Sequence, residues 1–147
     1  MLKTQLLHPE ILQALGSSGH SSRVLIADGN YPFATKRGPN SKLVFLNLSP
    51  GMLQVTDVLK ALLAAVPVEA AAVMQPARTG PYALKQDPPV FAEFKKLLDD
   101  AGSGVKLDRI ERFKFYDEAS TPDVCLTIAT GEQRIYANLL LTIGVVR

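Results

Sequence analysis

Apolar residues in this chain fall into blocks of two periods that alternate along its length. Ile11, Leu12 and Leu15 follow His8-Pro9-Glu10, which predicts a short helix with Pro9 and Glu10 in its first turn and Gly16 near its end. Arg23-Val24-Leu25-Ile26-Ala27 is a continuous apolar run of strand length that stops at Asp28-Gly29-Asn30 and Pro32. It reads as a buried strand delivering a loop. Residues 36–41 have loop composition, and Leu43–Leu48 is a second strand-like run. From Met52 to Val66, Met52, Val55, Leu59, Leu62, Leu63 and Val66 recur at helical spacing, Asp57 and Lys60 take the other face, and Pro67 stops the helix.

Ala70–Met74 is short and apolar, and Gln75-Pro76 after it favours a strand over the helix its alanines would suit. Asp87-Pro88-Pro89 opens a second amphipathic helix through Phe91, Phe94, Leu97 and Leu98, closed by Gly102-Ser103-Gly104. Arg109–Tyr116 alternates as a strand does, with Phe113 and Phe115 on one face and Arg112 and Lys114 on the other. Thr121-Pro122-Asp123 turns the chain into Val124–Thr130, and Gly131-Glu132 turns it again. Ile135–Val146 is a long final apolar stretch. Strands and helices intermix throughout, which predicts an α/β sandwich with a mixed sheet, antiparallel towards the C-terminal end.

Composition narrows the function classes. A length of 147 residues fits one domain, 1–147, and argues against a two-domain enzyme. With 47% hydrophobic and 20% charged residues the chain is not intrinsically disordered. The formal charge is only +2 and the basic residues are scattered, so nucleic acid is not an expected partner. The single cysteine, Cys125, lies in an apolar run and reads as a small buried thiol; alone it forms neither an internal disulfide nor a structural zinc site. No apolar run approaches the ~20 residues of a membrane span, and Met1–Gly16 lacks the order of a signal peptide. A cytoplasmic protein is expected. Gly102-Ser103-Gly104 lacks the lysine and spacing of a phosphate loop.

Two histidines, His8 and His20, leave few groups able to exchange protons near neutral pH. Asp28, Gly29 and Asn30 follow a buried strand, where α/β proteins commonly gather binding groups, although these residue types also form plain turns. His20 lies at the other end of that strand, up to ~20 Å away at ~3.3 Å per residue. Either His20 is a surface turn residue, or a site is assembled from two neighbouring chains. Arg112 has the place of a solvated strand residue, and Tyr136 that of a core-edge residue. Tyr31, Phe33, Tyr82 and Tyr116 suit either packing or stacking on a ligand.

Leu7-His8-Pro9-Glu10-Ile11-Leu12, Gly19-His20, Val24–Ala27 with Asp28 and Pro32, Arg109–Tyr116, Thr130-Gly131-Glu132 and Tyr136-Ala137-Asn138 occur in an order and spacing that resemble the RbsD/FucU family of sugar mutarotases. The resemblance spans nearly the whole chain. It implies a three-layer α/β/α sandwich with a mixed central sheet. It also implies an isomerase that interconverts the α and β anomers of a pyranose without metal or cofactor. His20 would be the general acid/base, with Tyr136 as a second proton relay or an apolar wall; Asp28, Arg112, Tyr136 and Asn138 would contact the sugar. The Arg-Phe-x-Phe-Tyr stretch is similar to the fucose branch, so L-fucose is the expected substrate. The alternatives are a D-ribose pyranase and a non-catalytic monosaccharide-binding accessory protein of sugar uptake. Ser22 and Asn30 depart from the family's usual acid and the fucose branch's frequent histidine. The family's assembly into ring-shaped decamers implies a homo-oligomer with sites between subunits.

Overall fold

A computed structural model describes residues 2–146. The elements run α1 (Pro9–Gly16), β1 (Arg23–Ala27), β2 (Lys42–Phe45), α2 (Val55–Leu63), β3 (Val68–Gln75), α3 (Val90–Asp100), β4 (Leu107–Glu111), α4 (Arg112–Ala119), β5 (Val124–Ala129) and β6 (Leu139–Ile143). The six strands form one sheet in the order β2-β5-β1-β6-β3-β4. The central strands β1, β5 and β6 are buried at successive positions, and hence on both faces. The sheet is the middle layer of an α/β/α sandwich. Among the described residues no helix is long and apolar enough to cross a membrane.

Strand direction decides where a site can form. β1 runs parallel to β5, β5 to β2, and β3 to β4, while β6 is antiparallel to both β1 and β3. Five strands therefore point the same way, and their C-terminal ends share one edge of the sheet with the start of β6. The mixed sheet expected from the sequence is present, but its antiparallel strand lies in the middle. After β5 the chain does not turn back as a hairpin. It crosses through residues 130–138 and inserts β6 between β1 and β3.

The expected strand Arg109–Tyr116 ends at Glu111, and α4 begins at Arg112. The Glu111 carboxylate accepts the backbone N–H groups of Phe113 (2.9 Å) and Lys114 (3.2 Å), a side-chain cap that starts a helix in spite of the alternating pattern. Phe115 is then fully buried while Phe113 is 69% exposed, so the two rings do not share a face. α2 begins at Val55 rather than Met52, where Asp57 Oδ2 accepts the Gln54 N–H at 3.0 Å. The final apolar stretch is strand only over Leu139–Ile143, with Ile135, Val145 and Val146 exposed.

Candidate functional site

The common C-terminal edge of the sheet holds a cavity of about 350 Å³. Asp28 and Asn30 enter it from the loop after β1, Met74 from the end of β3, and Arg112 and Tyr116 from α4. Ile135, Tyr136 and Asn138 enter from the segment leading into β6, with Tyr31 and Tyr82 completing the wall. Of the expected site residues, Asp28, Arg112, Tyr136 and Asn138 meet here. The cavity falls within the size range of small-molecule sites and combines apolar walls with a few convergent polar groups.

Asp28 is 2% exposed. Its Oδ1 accepts the Asn30 N–H at 3.0 Å and its Oδ2 accepts Asn138 Nδ2 at 3.0 Å. Burial pushes its carboxyl up to about 6; hydrogen bonds from the Asn30 and Ala137 backbone and from Asn138 oppose the rise, and the Glu132 charge adds to it. The cavity thus contains a carboxyl group that burial holds well above the usual carboxylate range.

Tyr136 is a non-glycine residue with a positive φ of 63°, an unfavourable conformation that tertiary contacts hold in place. Its hydroxyl donates to the Tyr82 carbonyl at 3.0 Å and accepts the Ala77 N–H at 3.2 Å. The ring is thereby fixed as a wall of the cavity. Arg112 lies 5.7–5.9 Å from the centroids of Phe113, Tyr82 and Tyr116, a setting that attracts a guanidinium by cation–π contact. The Tyr116 hydroxyl beside it raises its affinity for its proton further.

Thr130-Gly131-Glu132 lies behind the Asp28 loop. Thr130 Oγ1 donates to the Ala27 carbonyl at 2.8 Å, and the Gly29 N–H donates to the Glu132 carbonyl at 2.8 Å. Burial works to raise the Glu132 carboxyl, but the Arg134 guanidinium and N–H outweigh it and hold it low. A Cβ at position 131 would run into the Ser49 and Met52 carbonyls, so glycine is required by this close approach.

His20 is elsewhere. It precedes β1, at the opposite edge of the sheet, where its Nε2 lies 3.0 Å from Glu69 Oε2 and its side chain is 55% exposed. The structure does not bring it to the cavity of its own chain. Tyr31, Tyr82 and Tyr116 line the cavity, whereas Phe33 packs on Tyr31 and Phe45 beside it. Met74 and Ile135 are lining residues that pattern reading missed. For Met74 the available signal was its place at the C-terminal end of a strand parallel to β1.

The fold and the cavity define an α/β protein with a cavity of small-molecule size at the C-terminal edge of its sheet, lined by a carboxylate, amides, a guanidinium and aromatic rings. The chain belongs to the RbsD / FucU transport protein family, whose model matches residues 1–146. It is 33% identical over 147 residues to a fucose mutarotase of Homo sapiens, covering 95% of this chain and 90% of that one. It is 32% identical to a D-ribose pyranase of Variovorax paradoxus (strain S110), covering 99% and 98%. The fucose mutarotase of Streptococcus pneumoniae, solved in complex with L-fucose, superposes with a TM-score of 0.81 at 22% identity over the whole of both chains, which establishes the shared fold. The family is one of sugar mutarotase and pyranase isomerases.

Proposed function

We propose that this protein interconverts the α and β pyranose anomers of L-fucose by general acid/base catalysis, in a site that a second copy completes. The observation that carries the reading is the convergence of Asp28, Arg112, Tyr136 and Asn138 on one cavity. Asp28 and Asn138 suit adjacent sugar hydroxyls, the one accepting and the other donating and accepting. Arg112 donates to an oxygen that gains charge. Met74 and Ile135 offer an apolar surface to the methyl group of a 6-deoxy sugar, and Tyr136 forms the wall beside them.

The reaction needs only proton transfers. A base removes the proton from O1–H, the C1–O5 bond breaks, and O5 takes a proton, leaving an open-chain aldehyde. Rotation about C1–C2 and the reverse steps close the ring with O5 on the other face of C1. A histidine suits both transfers, worth about 10²–10⁴-fold together with correct positioning. His20 is assigned that role. Five residues of β1 span roughly 17 Å, so the His20 acting on a given cavity comes from a neighbouring copy, in keeping with a closed ring-shaped assembly such as a decamer.

D-ribose pyranose–furanose interconversion is the second reading, favoured by the 32% identity to a D-ribose pyranase. Saturation-transfer NMR of anomer exchange on L-fucose, D-ribose and D-galactose separates the readings. The expected result is acceleration strongest on L-fucose and abolished by His20→Ala. Saturable binding with exchange no faster than in buffer would make the protein a non-catalytic sugar binder.

A further inference from the structure

Asp28 is held by both ends of one irregular segment. Residues 130–138 carry the chain from β5 to β6 and pass behind the loop that bears Asp28. At the near end Thr130 Oγ1 donates to the Ala27 carbonyl at 2.8 Å, and the Gly29 N–H donates to the Glu132 carbonyl at 2.8 Å. At the far end Asn138 Nδ2 donates to Asp28 Oδ2 at 3.0 Å. Between them the Ala137 N–H donates to the Arg134 carbonyl at 3.4 Å, closing the turn that contains the positive φ of Tyr136. The residues on either side of Asp28, and its own carboxyl, are therefore braced by a span that is neither helix nor strand. With no ladder or helical bonds to fix its course, that span depends on side chains.

The Glu132 carboxylate is the centre of that support. It is buried, and its Oε1 accepts the Arg134 N–H at 3.0 Å and Arg134 Nε at 2.9 Å. Its Oε2 accepts Arg134 Nη2 at 2.7 Å and the N–H of Val55, the first residue of α2, at 3.4 Å. Arg134 Nη1 continues to Glu93 of α3 at 2.8 Å. One carboxylate thus joins the crossing segment to α2, and its guanidinium partner joins it to α3. A buried ion pair often stabilises a fold no more than apolar side chains of the same volume would. What this pair supplies is direction, because a guanidinium fork binds a carboxylate in a narrow geometry. The Glu132 backbone is set by it, and with that backbone the carbonyl that receives Gly29.

We propose that Glu132, locked by Arg134, is a positioning residue for Asp28: it fixes the crossing segment so that the Asp28 carboxyl and the Asn138 amide meet neighbouring sugar hydroxyls at a set separation. The proposal rests on the reading of the cavity as the sugar site. Glu132 stands behind the loop, and Asp28 and Asn138 stand in front of it in the cavity wall. Its effect on the sugar passes through the Gly29 contact at one end of the segment and through Asn138 at the other. Asp28 and Asn138 hold the sugar before and during ring opening alike, so a loosened brace weakens binding more than it slows the chemical step.

The test combines exchange kinetics with NMR of the Asn138 side-chain amide in the intact protein, on wild type, Glu132→Gln and Arg134→Lys. Glu132→Gln keeps the shape of the side chain and loses its charge, whereas Arg134→Lys keeps the charge and loses the fork. Glu132→Gln should raise KM for the preferred sugar about tenfold with kcat within about threefold of wild type. Arg134→Lys should show a smaller rise of the same kind, and the Asn138 amide signals should move in both. Wild-type KM in folded Glu132→Gln overturns the proposal, as does a fall in kcat at unchanged KM. Should Glu132→Gln fail to fold, Arg134→Lys decides by the same two criteria. If wild-type protein accelerates exchange of no sugar, the function fails instead. The Asn138 signals then decide the positioning by themselves, and signals identical to wild type in the folded variants overturn it.

Discussion

Asn138 grips Asp28 from two sides. Its Oδ1 accepts the Asp28 backbone N–H at 2.9 Å while its Nδ2 donates to Asp28 Oδ2 at 3.0 Å, an arrangement that fixes which way the amide faces. The residue leading into β6 thus orients the residue leaving β1, and a carboxylate is held in an almost water-free place.

That placement makes stability depend on pH. The Asp28 carboxyl is raised from 3.8 to about 6 in the folded protein, mainly by burial. The native state therefore binds this proton more tightly than the unfolded chain. The sign follows: the group's contribution is most favourable below about 4 and is lost as pH rises through about 6, by on the order of 3 kcal/mol. Urea unfolding of wild type and Asp28→Asn across pH 4 to 7 isolates the effect. The variant should gain on wild type as pH rises through this window. Stability curves that stay parallel would show that Asp28 does not titrate there.

Arg112 occupies the first position of α4, where a cation gains nothing from the helix dipole, and it lies against three aromatic rings. Its worth is expected in binding rather than folding. Arg112→Lys should raise the KM for the preferred sugar about tenfold, because an ammonium lacks the planar fork that both stacks and donates in a fixed direction. The unfolding free energy should change by less than about 1 kcal/mol. A sugar titration followed by exchange NMR checks the first figure, and urea denaturation the second.

The sequence made β1, α2 and α3 legible because one period dominates each, and it placed Asp28 correctly because a buried apolar run ends beside it. It misplaced α4. Arg112-Phe113-Lys114-Phe115 alternates at period two, yet the Glu111 cap and the burial of Phe115 alone select a helix. Tyr136 and Asn138 emerged through family resemblance, since nothing local reveals that residues 130–138 cross to the edge where β1 ends. Glu69 was invisible. Val-Glu-Ala-Ala does not announce a bulge, and the contact with His20 depends on where β6 inserts. Periodicity reports which face is buried, whereas these contacts depend on which strands become neighbours.

Two glycines make a contrast in packing. Gly131→Ala would push a methyl group into the Ser49 and Met52 carbonyls, in a segment where the Gly131 N–H already donates to Leu53 at 3.0 Å and its carbonyl accepts the Gly51 N–H at 2.6 Å. A loss of about 3 kcal/mol is expected. Gly16, the last residue of α1, has nothing within 4 Å of such a methyl group. Gly16→Ala should stabilise by about 0.4–1 kcal/mol, chiefly by restricting the unfolded chain. Chemical denaturation of the two single variants measures both signs.

The separation of His20 from the Asp28 cavity leads to a test that needs no structure of the assembly. If each site takes His20 from one copy and Asp28 from another, His20→Ala and Asp28→Asn chains are each inactive alone. After unfolding, mixing in equal amounts and refolding, random association restores a wild-type pair at about a quarter of the sites. Exchange NMR on the mixture should then recover roughly that share of wild-type activity. If both groups acted within one chain, every chain in the mixture would lack one of them and activity would stay absent at any mixing ratio. Mixing at other ratios sharpens the result, because the number of intact pairs rises as the product of the two fractions and peaks at equal amounts.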